Sequence, residues 1–187
     1  MSKYPYKIVA ISGSLRKESK NKKLLTYCFE NSPSELDIEI IDISTIPLFN
    51  QDIEDAGFPE SVLHLRKKVR EADGLLLGCP EYNTSVSGVL KNAIDWISRR
   101  DPDGYPFSRK PVMIVGATTG RLGTARAQKE LRVIMANLNT FPMNKPELFV
   151  AEAKDHIDSQ GLQDENMQNI LDKMMINFIK WIETLKK

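Results

Sequence analysis

The sequence predicts an α/β fold in which a doubly wound parallel sheet carries helices on both faces. Short apolar runs alternate with helix-periodic segments along the whole chain, which is the pattern of successive β-α-β units. Three of these runs, at about 6–11, 74–79 and 111–117, are almost continuously apolar, as strands covered on both faces should be. At 187 residues the chain has the length of one domain, so we expect residues 1–187 to form a single domain.

The first half of the chain supplies two strands and two helices. A buried strand is predicted at about 6–11 and an edge strand at about 37–42, where apolar and polar residues alternate. Helices are predicted at about 20–32 and 59–72, because apolar residues recur there at steps of three and four. One face of the second helix should point inward: Val62, Leu65, Val69 and Ala72. The opposite face should be solvated: Arg66, Lys67, Lys68 and Arg70.

The second half continues the alternation. Strands are predicted at about 74–79 and 111–117, and a last strand lies within 139–150, where two prolines interrupt it. Apolar residues at helical spacing predict the remaining helices: about 86–99, 123–138 and 163–186. Five strands joined in this way favour the flavodoxin-like order 2-1-3-4-5, in which a ligand binds at the carboxyl ends of the strands.

Charge and composition exclude several classes of protein. Lys and Arg total 26 against 25 Asp and Glu, a formal charge of +1, so neither nucleic acid nor an anionic membrane is indicated as a partner. Cys28 and Cys79 are far apart and form no CxxC pair, so we expect two buried thiols rather than a zinc site or a redox dithiol. The N-terminus has no signal-peptide apolar stretch, and we expect a cytoplasmic protein.

The loop after the first strand has the composition of a phosphate-binding loop. Gly13 permits a tight turn, Arg16 is a forked cation, and three polar side chains are short donors: Ser14, Ser19 and Asn21. The helix that follows would direct its free N–H groups towards an anion. Because neither G-x-x-x-x-G-K-[ST] nor G-x-G-x-x-G is present, the loop suits a single phosphate better than a triphosphate or a dinucleotide. The alternative is an ordinary capped turn.

Two further loops should meet this one at the same edge of the sheet. The loop after the third strand contributes a proline, a carboxylate, an aromatic ring and an amide: Pro80, Glu81, Tyr82 and Asn83. The loop after the fourth strand contributes two hydroxyls and a glycine: Thr118, Thr119 and Gly120. Tyr82 could pack beside a flat ligand, and nearby main-chain groups could hydrogen-bond the edge of a heterocycle. Each residue also has a structural alternative: Glu81 can be a solvated carboxylate, and Gly120 can serve only a turn.

No catalytic side chain or metal site is predicted. His64 and His156 are the only histidines, and we expect both to be structural or solvated. The sequence has no G-x-S-x-G elbow, no H-E-x-x-H motif and no Cys/His cluster. A ligand site without a nucleophile, base or metal suggests that a bound cofactor carries the chemistry.

Three motifs in order then carry a family resemblance. The first is Gly13-Ser14-Leu15-Arg16-x-x-Ser19-x-Asn21, and the second extends from Pro80-Glu81-Tyr82-Asn83 to Asp95-Trp96. The third is Gly120-Arg121-Leu122-Gly123-x-Ala125-Arg126-Ala127-Gln128. Over about residues 6–150 they resemble the NAD(P)H-dependent FMN reductase family, whose members include quinone, azo-dye and chromate reductases. One departure is Thr124, where relatives often carry a second glycine.

The resemblance implies FMN held without a covalent bond, with NAD(P)H as co-substrate. Carried over by position, it implies that four residues hold the phosphate: Ser14, Arg16, Ser19 and Asn21. It implies that the remaining site residues line the isoalloxazine: Pro80, Glu81, Tyr82, Asn83, Thr118, Thr119 and Gly120. The implied reaction is ping-pong: hydride passes from NAD(P)H to FMN N5, and two electrons then pass to a flavin, quinone, azo compound or chromate.

The resemblance also implies an assembly, because family members are usually homodimers or homotetramers. Arg99, Arg100 and Tyr105 would then approach the flavin of a neighbouring subunit. The alternative function is a flavodoxin-like electron carrier without NAD(P)H oxidase activity. The charge of +1 counts against that alternative, because such carriers usually present a strongly acidic docking surface.

Overall fold

A computed structural model describes residues 5–186 as a central sheet covered by helices on both faces. The strands are β1 (Tyr6–Ser12), β2 (Leu36–Ile41), β3 (Gly74–Gly78), β4 (Glu81–Tyr82), β5 (Ser85–Val86), β6 (Pro111–Ala117), β7 (Phe141–Pro142) and β8 (Leu148–Val150). The helices are α1 (Lys20–Glu30), α2 (Gln51–Ala56), α3 (Glu60–Glu71), α4 (Gly88–Ile97), α5 (Ala125–Asn137) and α6 (Glu165–Leu185).

The main sheet is parallel, with the order β2-β1-β3-β6-β7. This confirms the predicted doubly wound, flavodoxin-like architecture. The predicted interruption of the last strand is also present: β7 pairs with the start of β6 and β8 pairs with its end. The two short strands therefore act as the two halves of one edge strand.

The core forms two apolar layers, one on each face of the sheet. Helices α1 and α6 cover one face, where Leu24 and Phe178 pack against strand residues such as Ile8. Helices α3, α4 and α5 cover the other face. Because β1, β3 and β6 are buried on both sides, their sequences lack the alternation that marks β2.

Three features differ from the sequence prediction. The segment expected to be a loop after the third strand contains the hairpin β4–β5, whose turn residues Asn83 and Thr84 have φ angles of 49° and 66°. Because Ser87 caps α4 by accepting the Leu90 N–H, that helix begins at Gly88 rather than at 86. The loop after β2 also contains α2, which Asn50 caps.

The expectation that Arg66 lies on a solvated helix face is wrong. Its side chain is 1% exposed and donates to the carbonyl oxygens of Trp96, Ile97 and Arg99. It also pairs with Asp101 at 2.6 Å. The guanidinium thus satisfies the free carbonyls at the end of α4, a role that needs residues distant in sequence and so leaves no local pattern.

Candidate functional site

The three predicted loops lie side by side at the carboxyl edge of the sheet. Ser12 at the end of β1 is in register with Gly78 of β3, and Gly78 is in register with Val115 of β6. The Gly13 N–H donates to Gly78, and the Ser87 hydroxyl donates to the Gly13 carbonyl at 2.7 Å. The loop after β1 is therefore hydrogen-bonded directly to the segment that follows β3.

The loop between β1 and α1 combines buried hydroxyls with an exposed guanidinium. Ser14 and Ser19 are buried, and Ser19 caps α1 by accepting the Lys22 N–H at 3.2 Å. Within the described residues, the Arg16 side chain makes no hydrogen bond or ion pair with the rest of the chain. Ser14 and Arg16 line a cleft of about 480 Å³ that extends to the end of β2.

The charge of this loop fits an anion. From residue 16 to residue 23 the sequence places five cations, Arg16, Lys17, Lys20, Lys22 and Lys23, against the single carboxylate of Glu18. Two of the lysines are engaged within the protein: Lys20 donates to the Ile157 carbonyl, and Lys23 pairs with Glu18 at 2.7 Å. The unengaged guanidinium, the two hydroxyls and the N-terminus of α1 form a donor-rich set that fits a phosphate monoester.

Asn21 has a structural role that the sequence reasoning missed. Its side-chain amide donates to the Ala117 carbonyl at 2.8 Å and accepts the Ala117 N–H at 3.0 Å. Both bonds fix the end of β6 against α1, and the side chain is buried. One amide hydrogen is left for a ligand, so phosphate binding by Asn21 stays a prediction.

The hairpin β4–β5 presents its turn at the same edge. Tyr82 is 49% exposed, and Asn83 is exposed beside it. Pro80 is buried against the first loop, since a Cβ placed on Gly13 would lie 2.8 Å from the Pro80 Cδ. Gly13 is thus required for the close approach of the two loops.

The Glu81 carboxylate is buried against the start of α5 and is not solvated. The side chain of Glu81 is 6% exposed and accepts the N–H groups of Arg126 and Ala127, each at 3.1 Å. Burial opposes its ionisation, but the hydrogen bonds from Ala127 and Arg126 outweigh burial and lower the pKa of the carboxyl. The sequence reasoning missed Arg126 as its partner, although Arg126 belongs to the third motif.

The loop after β6 is held mainly through its backbone. The Thr118 N–H donates to the Val150 carbonyl at 2.9 Å, and the Gly120 carbonyl accepts the Glu152 N–H at 3.0 Å. Thr119 and Gly120 are exposed, and the Thr118 hydroxyl accepts the Gly120 N–H at 3.3 Å. These hydrogen bonds give the loop a defined conformation at the same edge as the other two.

Thr124 is buried against β6. A Cβ placed on Gly116 would lie 2.1 Å from the Thr124 hydroxyl oxygen. Gln128 donates to the same hydroxyl at 2.9 Å. The threonine is accommodated because the strand residue facing it has no side chain.

The remaining titratable groups offer no catalytic arrangement near these loops. Cys79 directly precedes the hairpin, but burial raises the pKa of its thiol to about 12, so it is not a nucleophile near neutral pH. His64 is exposed, and His156 pairs with Asp164 at 2.8 Å at the start of α6. Across residues 5–186, no group of three His, Cys, Asp or Glu side chains is placed to hold a metal ion.

Comparison with known proteins identifies close relatives over nearly the whole chain. A family model described as NADPH-dependent FMN reductase matches residues 6–155. The chain is 44% identical over 181 residues to an NAD(P)H-dependent FMN reductase from Pseudomonas aeruginosa, covering 96% of this chain and 97% of the relative. It is 39% identical over 178 residues to a 2-hydroxy-1,4-benzoquinone reductase from a Burkholderia species, covering 94% and 96%.

A solved structure agrees with the sequence relatives. The flavoenzyme NAD(P)H:(acceptor) oxidoreductase FerB from Paracoccus denitrificans superposes with a TM-score of 0.86 at 31% identity. The superposition covers 96% of this chain and 98% of FerB. The described part of the chain contains no helix with the length and apolar content needed to span a membrane.

Proposed function

This chain belongs to the NADPH-dependent FMN reductase family, and on that premise we propose that it is an FMN-dependent NAD(P)H oxidoreductase. The observation that carries the proposal is the meeting of three loops at one sheet edge, the first of them a donor-rich loop with an unengaged Arg16. FMN fits this arrangement because it offers one terminal phosphate and one flat heterocycle. When bound, FMN supplies the capacity to accept a hydride and to release two electrons.

The residues of the first loop would hold the phosphate. Arg16 would contribute the forked cation, and Ser14 and Ser19 would contribute hydroxyls beside the N-terminus of α1. Asn21 would add at most one donor, since its other polar groups are bonded to Ala117. Nothing in this loop corresponds to a site for a second nucleotide, which favours FMN over FAD.

The two other loops would orient the ring. Tyr82 and the main chain of Asn83 would lie along one side of it, with Pro80 and Glu81 supporting them. Thr118, Thr119 and Gly120 would border the ring on the β6 side. No acid, base or nucleophile is required of these residues, because their contribution is position and the exclusion of water.

We further propose that the acceptor is a quinone. The supporting observation is that the relatives include proteins named 2-hydroxy-1,4-benzoquinone reductase and quinone reductase, the latter 40% identical over 155 residues in Escherichia coli. Flavins, azo compounds and chromate remain acceptors to be compared with it. We place the reaction in the cytoplasm, where NAD(P)H is available.

A second copy of the chain would complete the site. Helix α4 begins beside the hairpin and ends at the opposite edge of the sheet, where Arg66 and Asp101 hold the segment that carries Arg100 and Tyr105. In a two-fold dimer with antiparallel α4 helices, that segment of one subunit would lie beside the site of the other. Tyr105 is exposed and is therefore available for such a contact. Sedimentation of the active protein at assay concentration tests this: a fully active monomer would contradict it.

Kinetics with the purified, FMN-loaded protein test the function. The protein should purify with FMN, and chromatography of the heat-released flavin should find no FAD. NADH and NADPH should each be tried against quinones, free FMN, azo dyes and chromate, with the quinone expected to react fastest. If the FMN-loaded protein oxidises neither nucleotide with any acceptor, the electron-carrier alternative is favoured instead.

A further inference from the structure

Helix α5 is capped by a residue of the hairpin β4–β5. Its own N-cap residue, Thr124, makes no side-chain cap hydrogen bond. The Glu81 carboxylate, which lies 43 residues earlier (124 minus 81), accepts the first-turn N–H groups of Arg126 and Ala127 instead. An anion at this position also interacts favourably with the helix dipole.

The Arg126 guanidinium completes the contact from the solvent side. Its Nε donates to one Glu81 oxygen at 2.8 Å, and its Nη2 donates to the same oxygen. Arg126 is 50% exposed, whereas Glu81 is 6% exposed. All four donors to the carboxylate therefore come from the first turn of α5, and the carboxylate has little surface left for a ligand.

The far strand of the hairpin is attached to the same helix. The Ser85 hydroxyl donates to the Glu130 carboxylate at 2.5 Å, one turn beyond Arg126. Between the two attachment points lies a turn in which Asn83 and Thr84 both have positive φ. That conformation is unfavourable for the β-branched Thr84, so the turn needs support from its surroundings.

We propose that Glu81 is a positioning residue that holds the hairpin against the N-terminus of α5 before any cofactor binds. The lock is the set of hydrogen bonds that Glu81 accepts from Arg126 and Ala127. Glu81 acts through Tyr82 and Asn83, which it holds at the edge of the site, and not by contact between its carboxylate and the cofactor. The role of the hairpin in holding the flavin ring rests on the proposed function. The lock itself is a property of the protein without its cofactor.

Hydrogen exchange of the cofactor-free protein tests the lock directly. In Glu81→Gln, amides of the hairpin and of the first turn of α5 should exchange roughly tenfold faster, while those of α1 and α6 should keep the wild-type rate. Glu152→Gln is the matched control, because it removes an exposed carboxylate that is only loosely paired with Arg121 at 3.8 Å. Unchanged exchange in Glu81→Gln would overturn the proposal.

Measurements of FMN binding then distinguish a Glu81 that positions the hairpin from a Glu81 that contacts the cofactor directly. The FMN dissociation constant should rise about tenfold in Glu81→Gln and less in Arg126→Gln, because the backbone N–H groups still hold Glu81 in that variant. The visible circular dichroism of bound FMN should change in both variants, since the ring is held differently. If Glu81 contacts the cofactor directly, Arg126→Gln should leave both measurements at the wild-type value, and the proposal is wrong.

A double-mutant cycle completes the test. The effects of Glu81→Gln and Arg126→Gln on FMN affinity should be less than additive in the combined variant, because both break the same contact. Additive effects would contradict a shared lock. Wild-type protein that binds no FMN would instead refute the proposed function, and the exchange experiment would still decide the lock.

Discussion

Arg16 is the single residue on which the proposed phosphate site depends most directly. In Arg16→Ala the affinity for FMN should fall by about 1.5–3 kcal/mol, a factor of roughly 10–150, because a charge-assisted hydrogen bond is lost. The fold should be unchanged, since the side chain is exposed and has no partner among the described residues. Titration of the cofactor-free protein with FMN, followed by flavin fluorescence, measures the effect.

Lys17→Ala is the matched control for this prediction. Lys17 is also an exposed cation in the same loop, but it is a point charge rather than a forked donor. We expect it to weaken binding by less than Arg16→Ala does. If the two variants bind FMN equally well, Arg16 has no special place in the phosphate site.

At this scale the sequence predicted residues whose chemistry is local. Ser14, Ser19 and Arg16 can be proposed from the sequence because a strand, a polar loop and a helix follow one another directly, and their binding of a phosphate stays a prediction. The roles of Glu81, Asn21 and Arg66 could not be found, because each depends on a partner 30 or more residues away in the sequence. Only the fold brings such partners together, so their polar side chains resemble ordinary surface residues in the sequence.

At the scale of elements, the junction between α3 and α4 depends on the buried Arg66. Arg66→Leu should lower the free energy of unfolding by about 3 kcal/mol, because Asp101 and the carbonyls at the end of α4 lose their partner. Lys67→Leu is the control, because Lys67 lies on the exposed face of the same helix and its Nζ is 3.9 Å from the Glu71 carboxylate. This variant should change the free energy of unfolding by less than about 0.5 kcal/mol. Urea unfolding measures both, and equal effects would contradict the structural role of Arg66.

The same junction predicts a dependence of stability on pH. Burial opposes the ionisation of Asp101, but hydrogen bonds from Arg66 and Arg70 outweigh burial and lower the pKa of this carboxyl below its ordinary value. The ionised carboxylate therefore contributes its full stabilisation above about pH 4 and loses it as the pH falls through the lowered pKa.

Acid unfolding of Asp101→Asn tests this dependence. The variant should be less stable than the wild type near neutral pH, and the difference should shrink as the pH falls from about 5 towards 2. Unfolding free energies measured by urea at several pH values give the comparison. If the difference in unfolding free energy between the two proteins does not change with pH, the pKa of Asp101 is the same in the folded and unfolded states and the prediction is wrong.

Helices and strands were predictable where their apolar pattern is long. The positions of α1, α3, α5 and α6 follow from helical periodicity. The order of the main sheet follows from the succession of five strands, since that succession favours the flavodoxin-like order. The hairpin β4–β5 was missed because each strand has two residues and its turn lacks the glycine that usually marks one. Helix α2 was missed because none of its residues is buried, which leaves no apolar face to detect.

At the scale of the whole molecule, we expect one face of the flavin to serve both substrates in turn. The chain's own loops would cover the other face, and the first product must leave before the acceptor binds. When the NAD(P)H concentration is varied at several fixed concentrations of the acceptor, the double-reciprocal plots should be parallel lines. Intersecting lines would mean that both substrates are bound at once, which would contradict a single shared face.

The most direct test separates the two half-reactions under anaerobic conditions. The FMN-loaded protein is mixed first with NAD(P)H alone, and the visible flavin absorbance is followed in a stopped-flow instrument. A quinone is then added after the nucleotide has been removed. We expect the absorbance to bleach fully with nucleotide alone and to return when the quinone is added, each step at least as fast as steady-state turnover. Bleaching that requires the quinone to be present, or no bleaching with either nucleotide, would contradict a ping-pong transfer of hydride from NAD(P)H to the bound FMN.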